Sequence, residues 1–532
     1  MAPLIYPVET AAGERHAGFA VKARQAMNDS LTPLAYLILP NLPLLLLRHK
    51  LTLVPHGVIN LECLLLGILS LFIPRSLVFV LLVAEITGAF IYEICYSFQF
   101  RLADLITASQ SLPDLPRARV IEFVVTVLLV LAVAALVAFG VPRPKHRMRT
   151  SLILLAMTVL VAGVDFADGT NPMSHADVMT ASHRLSIAPW LTLGVRGEFF
   201  GFVDNMSHVR NTSPMDSASA MMMGGFQQIS QGPGGARPNV VELVVESWGL
   251  FNDSPMAKAL VAPYDSPQLR ADYDVSFGTA PFDGLTVPGE ARELCHAHLG
   301  FGILHVKAAR ARSCLPEEFA AMGYQTVAIH GYTGNVFQRD RWYRQLGFER
   351  TWFQPDLAAQ GLPECPGVFP GICDTAIVHW IGKRFLAGGS QKPQFVYYMT
   401  LNSHIPLPLT PGLPPDNLCS SAAVLQSSEA LCSWFRIIHA VHASVAQLAL
   451  QEVSRPTIFV LVGDHAPPFA TPSLREQFSQ TVVPYVILMP RALRHSATPG
   501  SGAGPARVVA ATRGAVRNRT ARQETGESSS GN

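Results

Sequence analysis

The sequence predicts a chain of two structural parts, a transmembrane helical domain followed by an α/β/α domain with a mainly parallel sheet. Of its 532 residues, 49% are hydrophobic and 15% are charged, which is too apolar for an ordinary soluble enzyme. The apolar excess lies before residue 166, whereas short β-rich runs alternate with helical stretches after residue 239. Acidic residues and a histidine follow two of these runs, where open α/β sheets bind their ligands.

Apolar runs near the N-terminus predict about five membrane helices, because most of them approach the length that spans a bilayer. Prolines interrupt the first run, so four helices are an alternative. The basic segment 143–149 between the last two runs predicts a cytoplasmic loop, which sends the chain after residue 166 to the outer side of the membrane. The runs are Leu31–Leu47, Gly57–Ile73, Leu77–Phe98, Val120–Val141 and Ser151–Phe166.

The rest of the chain divides by composition. Residues 1–30 are predicted to be a cytoplasmic segment, residues 31–166 the transmembrane domain, and residues 167–238 an amphipathic juxtamembrane segment and linker. Residues 239–490 form the predicted catalytic domain, and residues 491–532 are predicted to stay disordered. The predicted strands are Asn239–Val245, Gln325–Ile329, Phe395–Thr400, Thr457–Val462 and Val482–Leu488.

Charge and cysteine content narrow the function classes. The net charge of +2 comes with no basic stripe, so no nucleic-acid partner is expected. Six of the eight cysteines follow the membrane runs, and in an exported domain they predict three disulfides. Pairing nearest neighbours along the chain is one arrangement among several, and unpaired buried thiols are the alternative. The candidates are Cys295 with Cys314, Cys365 with Cys373, and Cys419 with Cys432.

Two strand ends supply candidate metal ligands. Glu246 follows the first strand-like run, and Asp464 and His465 follow the run that ends at Val462 and Gly463. Carboxylates and an imidazole are ligands of divalent metals, and parallel strands bring their carboxyl ends to one edge of a sheet. One acidic strand end alone is more often structural, but two of them beside a histidine favour a metal site.

Thr286 is the candidate nucleophile. It lies in a segment with glycines and a proline at residues 284–290, which predicts an exposed hydroxyl on a fixed backbone near a helix N-terminus. The alternative is that Thr286 only caps a helix, with Glu290 four residues further on.

Taken together, these residues resemble the alkaline phosphatase and sulfatase superfamily, and within it the membrane-anchored lipoteichoic acid synthase and phosphoethanolamine transferase group. Glu246, Thr286 and the Asp464-His465 pair are similar to the metal-binding glutamate, nucleophilic threonine and Asp-His pair of that superfamily. The blocks 330–348 and 400–406 are similar to segments where the synthases carry substrate-binding residues. The resemblance covers residues 239–490 and implies an alkaline phosphatase-like (sulfatase-like) fold.

The resemblance also implies a mechanism. One zinc or manganese ion would be held by Glu246, Asp464, His465 and the oxygen of Thr286. Thr286 would attack a phospholipid head group, form a phosphothreonine adduct and pass a phosphoethanolamine or phosphoglycerol group to a glycan or lipid-glycan. The enzyme would lie in a bacterial inner membrane with its catalytic domain facing the periplasm. The implied substrate-binding residues are His330, Phe337, Arg339 and His404.

Several alternatives stay open. Arg339 is also compatible with an ion pair to the neighbouring Asp340, and His404 with a core position. A phosphodiesterase or a sulfuric-ester hydrolase would use the same residues, and a metal-free scaffold would keep only the fold. The formylglycine mechanism of sulfatases is disfavoured, because their C/S-x-P-x-R pattern has threonine first and Glu290 last in this chain.

Three glutamates, Glu62, Glu85 and Glu93, lie in or near the membrane runs. Carboxylates at membrane depth are costly unless they are buried or near the interface. They either line a path for the lipid or take part in helix packing.

Overall fold

The computed structural model describes two regions of the chain in detail. These are the apolar N-terminal part and the α/β part that follows it. The predicted cytoplasmic segment, most of the 167–238 segment and most of the C-terminal tail lie outside the described residues. The described residues are 32–43, 45–46, 59–97, 105, 109, 117–167, 186–188, 190–191, 215–230, 237–282, 284–307, 311–388, 390–405, 407, 417–420, 422–469 and 472–495.

The described part of the apolar region contains the helices α1 (Leu61–Ser70), α2 (Arg75–Ser97), α3 (Arg117–Ala135) and α4 (Arg147–Ala167), with a shorter helical stretch at residues 32–38. A π-helical turn, Leu136–Gly140, extends α3. Among the described helices, α2, extended α3 and α4 are long and apolar enough to cross a membrane. The first two predicted runs contain only shorter described helices, residues 32–38 and α1, so the last three predicted runs account for these spans.

The C-terminal region is built on a mixed sheet of seven strands. In chain order these are β1 (Asn239–Val245), β2 (Tyr273–Pro281), β3 (Gln325–His330), β4 (Arg350–Trp352), β5 (Gln394–Met399), β6 (Thr457–Gly463) and β7 (Val482–Pro490). Their order across the sheet is β2-β7-β6-β1-β5-β3-β4. The five strands from β6 to β4 are parallel, and β7 runs antiparallel to both of its neighbours, β6 and β2. The prediction of a mainly parallel sheet is confirmed.

Sequence patterning found five of these strands and missed two. β2 is an edge strand with several exposed residues and contains Asp274, Gly278 and Pro281, so it lacks a strong apolar signal. β4 has only three residues, which is too short for a period-2 pattern. Both strands are specified by pairing with a neighbour rather than by their own composition.

Helices cover both faces of the sheet. Alternate residues of β1 point to opposite faces, so Val241 and Leu243 lie in one apolar cluster while Val240 and Val244 lie in the other. The helices used below are α5 (Ala218–Ser230), α6 (Thr286–Cys295), α7 (Arg339–Gln345), α8 (Asp374–Ile381) and α9 (Glu429–Ala449). The shorter helices are Ser254–Leu260, Pro267–Asp272, Leu315–Ala321, Gln354–Ala359, Asn417–Ser420, Ala423–Gln426, Pro472–Arg475 and Ala492–His495.

Helix α5 changes the predicted domain limit. Met222, Met223 and Phe226 are buried in the same cluster as Val240 and Val244 of the central strand. The sequence pattern placed these residues in the juxtamembrane segment before residue 239. The structure instead packs α5 into the core of the α/β region, because its apolar face is covered by the sheet.

Three disulfides join cysteines that are nearest neighbours along the chain. They are Cys295–Cys314, Cys365–Cys373 and Cys419–Cys432. Cys63 and Cys95 take no part in these disulfides and are buried in the apolar region. The first disulfide ties the last residue of α6, so the helix that begins at Thr286 is fixed at its far end.

Candidate active site

The candidate site lies where four parallel strands end at the same edge of the sheet. Gly463 of β6 is paired with Val245 of β1, so Asp464 and Glu246 follow directly opposed residues. On the other side of β1, His330 of β3 is paired with Met399 of β5. Residues more than two hundred positions apart therefore meet because of the strand register.

The carboxylate of Glu246 contacts three neighbouring side chains of the site. Its Oε2 accepts a hydrogen bond from Thr286 Oγ1 at 3.0 Å, and its Oε1 accepts one from Ser247 Oγ at 2.8 Å. The Oε1 atom also lies 3.5 Å from Nε2 of His465. Glu246 is 3% exposed, so its position is set by these contacts rather than by water.

The backbone around Glu246 is held by the loop that follows β5. Thr400 Oγ1 accepts from the Glu246 amide at 2.9 Å, and Ser403 Oγ donates to the Glu246 carbonyl at 2.5 Å. The next residue, Ser247, has a left-handed backbone with φ of 56°, which is uncommon for a residue other than glycine. Such a conformation persists only where its surroundings enforce it, and it turns the chain sharply after the carboxylate.

Asp464 and His465 complete a buried cluster of three ligand-type side chains. One ligand atom of each of Glu246, Asp464 and His465 lies within 4.8 Å of the others. Asp464 Oδ1 accepts from the amides of Ser247 and His465, both at 2.7 Å. Nδ1 of His465 lies 2.8 Å from the Ala466 carbonyl, so Nδ1 carries a proton and Nε2 is the ring nitrogen that faces the two carboxylates.

The charges of this cluster are strongly coupled. Burial and the charge of Glu246 raise the pKa of Asp464 to about 8. Burial alone would lower the pKa of His465, but Asp464 and Glu246 raise it to about 9. Burial would raise the pKa of Glu246, yet the neighbouring His404 and His465 and the hydrogen bond from Ser247 lower it. Two buried carboxylates repel each other here, so a cation between them would stabilise the cluster.

The residues fit a divalent metal ion. The Asp464 Oδ2 atom is buried and accepts no hydrogen bond, although it lies 3.3 Å from Nε2 of His465. A buried carboxylate oxygen without a partner costs free energy, and a bound cation would supply the missing partner. Two carboxylates and a histidine whose Nδ1 donates to a backbone carbonyl are the donor set and orientation of zinc or manganese sites.

Thr286 lies at the N-terminus of α6 and does not cap it. Thr286 is the first residue of the helix, the preceding Leu285 makes no side-chain cap, and the hydroxyl donates to Glu246. Three residues on, a Cβ added at Gly289 would lie 2.7 Å from Cβ of Asp464. The helix can therefore approach the Asp464 loop this closely only because residue 289 is glycine.

A second residue of α6 holds the same loop. Arg292 is 1% exposed and donates from Nη2 to the Gly463 carbonyl at 2.6 Å and from Nη1 to the Asp464 carbonyl at 3.2 Å. Its Nε donates to Glu293, which also accepts from Ser219 of α5. The guanidinium thus links the nucleophile helix to the backbone of the Asp464 segment.

Two of the predicted substrate-binding residues, His330 and His404, are histidines held by backbone carbonyls. Nδ1 of His330 lies 3.0 Å from the Met399 carbonyl, and Nδ1 of His404 lies 2.9 Å from the Ile405 carbonyl, so each histidine has its lone pair on Nε2. Burial and then the charge of Arg339 lower the pKa of His330 to about 3. Burial also lowers the pKa of His404. Both imidazoles are therefore neutral near pH 7.

Arg339 has a different partner from the one the sequence offered. Its Nε and Nη2 donate to Glu290 Oε1 of α6, so the alternative of a pair with Asp340 is wrong. The ring of Phe337 lies 5.4 Å from the Arg339 guanidinium carbon and 5.6 Å from the Phe301 ring. The structure therefore places Phe337 against Arg339.

Sequence reasoning missed the residues that support the site. Asp374 at the start of α8 accepts from Tyr398 Oη at 2.6 Å and from the amides of Leu401 and Asn402. It thereby fixes the loop that carries Ser403 and His404. The sequence shows that Tyr398 lies just before the predicted block 400–406, but it does not show that Asp374 is the hydrogen-bond partner of this segment.

A comparison with family models matches residues 285–511 to the sulfatase family. For this segment the match confirms the predicted resemblance to the superfamily that contains the sulfatases. Thr286, Asp464 and His465 lie inside the matched segment, whereas Glu246 lies before it and is placed at the site by the strand register. A comparison with curated protein sequences found no significant match.

Among solved structures, three similar chains have low sequence identity to this one. The lipoteichoic acid synthase LtaP from Listeria monocytogenes is 13% identical, with 50% of this chain and 71% of that chain covered and a TM-score of 0.33. The phosphoglycerol transferase GacH from Streptococcus pyogenes, in complex with sn-glycerol-1-phosphate, is 16% identical, with 52% and 77% covered and a TM-score of 0.35. The periplasmic domain of EcEptC from Escherichia coli, in complex with Zn, is 12% identical, with 50% and 77% covered and a TM-score of 0.32. At these scores the similarity assigns no activity to this chain.

Proposed function

We propose that the chain is a metal-dependent membrane transferase that moves a phospho-alcohol head group from a phospholipid to a cell-surface glycan or lipid-glycan. The observation that carries the proposal is the hydroxyl of Thr286. It lies at a helix N-terminus and donates to Glu246, inside a buried cluster of two carboxylates and an imidazole. This is the arrangement of an activated nucleophile beside a divalent metal site.

Thr286 forms the covalent intermediate in this proposal. A zinc or manganese ion held by Glu246, Asp464, His465 and Thr286 would lower the pKa of the threonine hydroxyl and offset phosphoryl charge. The Thr286 oxygen attacks phosphorus and loses its proton. The bond between phosphorus and the diacylglycerol oxygen breaks, and diacylglycerol leaves with a proton. A hydroxyl of the acceptor then attacks the phosphothreonine, so Thr286 is regenerated and the head group is transferred.

The neutral histidines suit the second step. Because His330 and His404 have their protons on Nδ1, each Nε2 lone pair is able to accept the proton of an incoming hydroxyl. Arg339 adds a fixed positive charge that suits phosphate oxygens. These residues therefore act as proton acceptors and phosphate ligands in the proposed reaction.

The apolar helices support a lipid donor. Three described helices are long enough to span a bilayer, and many of their apolar side chains, including Leu128, Val159 and Leu160, are exposed on the protein. An anchor of this kind keeps the α/β region beside a membrane surface, where phospholipid head groups are concentrated.

Mass spectrometry of Thr286 tests the proposal. The purified full-length chain, loaded with zinc or manganese, is incubated separately with vesicles that contain phosphatidylethanolamine or phosphatidylglycerol. We expect a head-group adduct on Thr286 whose mass names the donor, and release of diacylglycerol. Thr286→Ala should abolish both, whereas the exposed Thr279→Ala serves as the matched control and should retain both.

The outcomes separate the alternatives. Undiminished release of diacylglycerol by Thr286→Ala would overturn the threonine mechanism. Release of the head group to water in the presence of glycan acceptors would identify a hydrolase instead of a transferase. A chain that binds neither metal and is unchanged by Glu246→Gln would be a scaffold.

A further inference from the structure

We propose that Glu290 is a positioning residue that holds the guanidinium of Arg339 for a substrate phosphate. The inference rests on the proposed function, because it assigns Arg339 to a phosphoryl group handled at Thr286. Glu290 itself touches no reacting atom in this proposal. It acts through Arg339, and it does so from the helix that carries Thr286.

Glu290 is enclosed by four hydrogen bonds that use both of its oxygens. Oε1 accepts from Arg339 Nε at 2.9 Å and from Nη2 at 2.7 Å. Oε2 accepts from the hydroxyl of Tyr343 at 2.6 Å and from that of Tyr397 at 3.1 Å. The tyrosines orient the carboxylate so that the other oxygen faces the guanidinium, and Arg339 Nη1 stays outside the pair.

The ion pair between Glu290 and Arg339 is almost completely buried. Glu290 is 0% exposed and Arg339 is 2% exposed, yet the two come from α6 and α7, which are separated by some fifty residues. Taking a guanidinium out of water is expensive, and a buried ion pair often stabilises a protein less than apolar packing does. Nη1 of Arg339 is not used in the bonds to Glu290, and the charge of Arg339 acts on His330 and His404, so we assign the guanidinium to a ligand as well as to the ion pair.

The backbone before Arg339 shows a second sign of enforced placement. Phe337 and Gln338 both have left-handed φ angles, 55° and 52°, although neither is glycine. Two such residues in sequence are strained, and strain of this kind collects at ligand sites. The bend places the Phe337 ring 5.4 Å from the guanidinium carbon, so the ring and Glu290 constrain Arg339 together.

The position of Glu290 in α6 explains why a carboxylate is present there. It lies one turn after Thr286, where the sulfatase C/S-x-P-x-R pattern has its arginine. In this chain the helix supplies the negative partner, and the positive charge comes from α7. The helix therefore sets the distance between the Thr286 oxygen and the Arg339 guanidinium.

A double-mutant cycle tests the inference without requiring transfer. Binding of sn-glycerol-1-phosphate to the full-length, metal-loaded protein is measured by calorimetry for Glu290→Gln, Arg339→Ala and the double variant. We expect each single variant to weaken binding by about ten- to a hundredfold, as misplaced substrate ligands do. The double variant should bind no more weakly than Arg339→Ala alone, because Glu290 acts only through Arg339.

Controls distinguish positioning from a structural role. Arg344→Ala removes an exposed arginine from the same helix and should leave the dissociation constant unchanged. Glu290→Asp keeps the charge and should recover part of the affinity that Glu290→Gln loses. If Glu290→Gln does not fold, Tyr343→Phe takes its place in the cycle, with a smaller loss and the same lack of additivity.

Each outcome decides the inference. Losses of affinity that add in the double variant would overturn it, and so would a wild-type protein that does not bind sn-glycerol-1-phosphate. A non-additive cycle in a protein that forms no Thr286 adduct would support the positioning role and count against the proposed transfer. An adduct with an additive cycle would support the transfer and remove Glu290 from it.

Discussion

Glu246 connects the candidate nucleophile to the candidate metal ligands through single contacts. Its two carboxylate oxygens separately reach Thr286 and the Ser247 and His465 side chains. The sequence identified Glu246 from its place after a strand, but the division of its oxygens depends on α6 and on the Ser247 turn. We therefore expect a substitution of Glu246 to disturb both the nucleophile and the metal site.

Substitution of Asp464 separates metal binding from stability. Asp464→Asn removes the carboxylate whose Oδ2 accepts no hydrogen bond and fits a metal ligand. We therefore expect the affinity for zinc or manganese to fall by at least about a hundredfold. In metal-free protein above pH 8 the same change should not destabilise the fold, because burial and Glu246 already oppose ionisation of Asp464. Elemental analysis and thermal unfolding, with and without chelator, measure both effects. Equal metal content in the variant would contradict the ligand assignment.

Because His330 is buried, we expect the protein to lose stability as the pH is lowered. Its pKa is about 3 in the folded protein and about 6.5 when exposed, so below pH 6.5 the unfolded chain binds a proton that the folded chain does not. The free energy of unfolding should therefore fall as pH is lowered from about 6.5 towards 3. His330→Asn, which keeps a donor for the Met399 carbonyl, should make this dependence shallower by about one proton in urea titrations.

His442 is the matched control for that measurement. It is fully buried, burial lowers its pKa to about 3, and it contacts Tyr264 and Trp248. His442→Asn should flatten the pH dependence of stability to a similar extent while head-group transfer persists. A His330→Asn profile that overlays the wild-type profile would show that His330 titrates normally.

At the scale of elements, α6 organises the site from one side of the sheet. Thr286 begins the helix, Gly289 allows close approach to Asp464, Glu290 pairs with Arg339, and Arg292 holds two carbonyls of the Asp464 segment. The Cys295–Cys314 disulfide fixes its end. Composition suggested a helix start at this point, but not that one helix contacts three other parts of the site.

Helix α5 should contribute directly to the stability of the α/β region. Phe226 is 1% exposed in the core cluster, whereas Met221 on the same helix is 62% exposed. We expect Phe226→Ala to lower the free energy of unfolding by about 3 kcal/mol or more, because it leaves a cavity in a packed core. Met221→Ala should change it by less than about 0.5 kcal/mol. Equal effects in denaturant unfolding would show that α5 is not part of the folded core.

At the scale of the whole molecule, the two ends of the apolar helices differ in charge. At one end Arg75 donates to the Phe139 carbonyl at 3.2 Å, and Arg143 donates to that of Ser70 at 3.2 Å. At the other end Asp165 accepts from the Ser186 amide at 2.9 Å, and Glu62 accepts from the Leu191 amide at 2.6 Å. The basic end is the expected cytoplasmic side.

The buried glutamates of this region have partners within the protein. Glu62 bonds to the segment at residues 190–191, and Glu85 accepts from the Asn60 side chain at 2.8 Å. These contacts agree with a role in helix packing, while the side chain of Glu93 lies outside the described residues.

Cysteine labelling tests the orientation of the chain. Lys145→Cys in the basic loop should react with a membrane-impermeant maleimide only after cell lysis, since that loop is predicted to be cytoplasmic. Gln360→Cys, on the exposed surface of the α/β region, should react in cells whose inner membrane is intact. The native cysteines should add little background, because six form disulfides and two are buried. The reverse labelling pattern would refute the predicted topology.

The sequence alone determined the class of the fold, because apolar runs and strand periodicity are local properties. It located five of seven strands and the residues at their ends, and it gave the nearest-neighbour cysteine pairing as one arrangement among several. It missed β2, β4 and the place of α5, because an edge strand, a three-residue strand and a half-apolar helix are specified by their neighbours.

The tertiary structure alone decided how the strand-end residues work together. The pairing of Gly463 with Val245 brings Asp464 to Glu246, and the approach of α6 at Gly289 brings Thr286 to both. The same packing pairs Arg339 with Glu290 instead of with its sequence neighbour Asp340. Hydrogen bonds act over about 3 Å and ignore sequence distance, so residue types can be read from the chain while their partners depend on the fold.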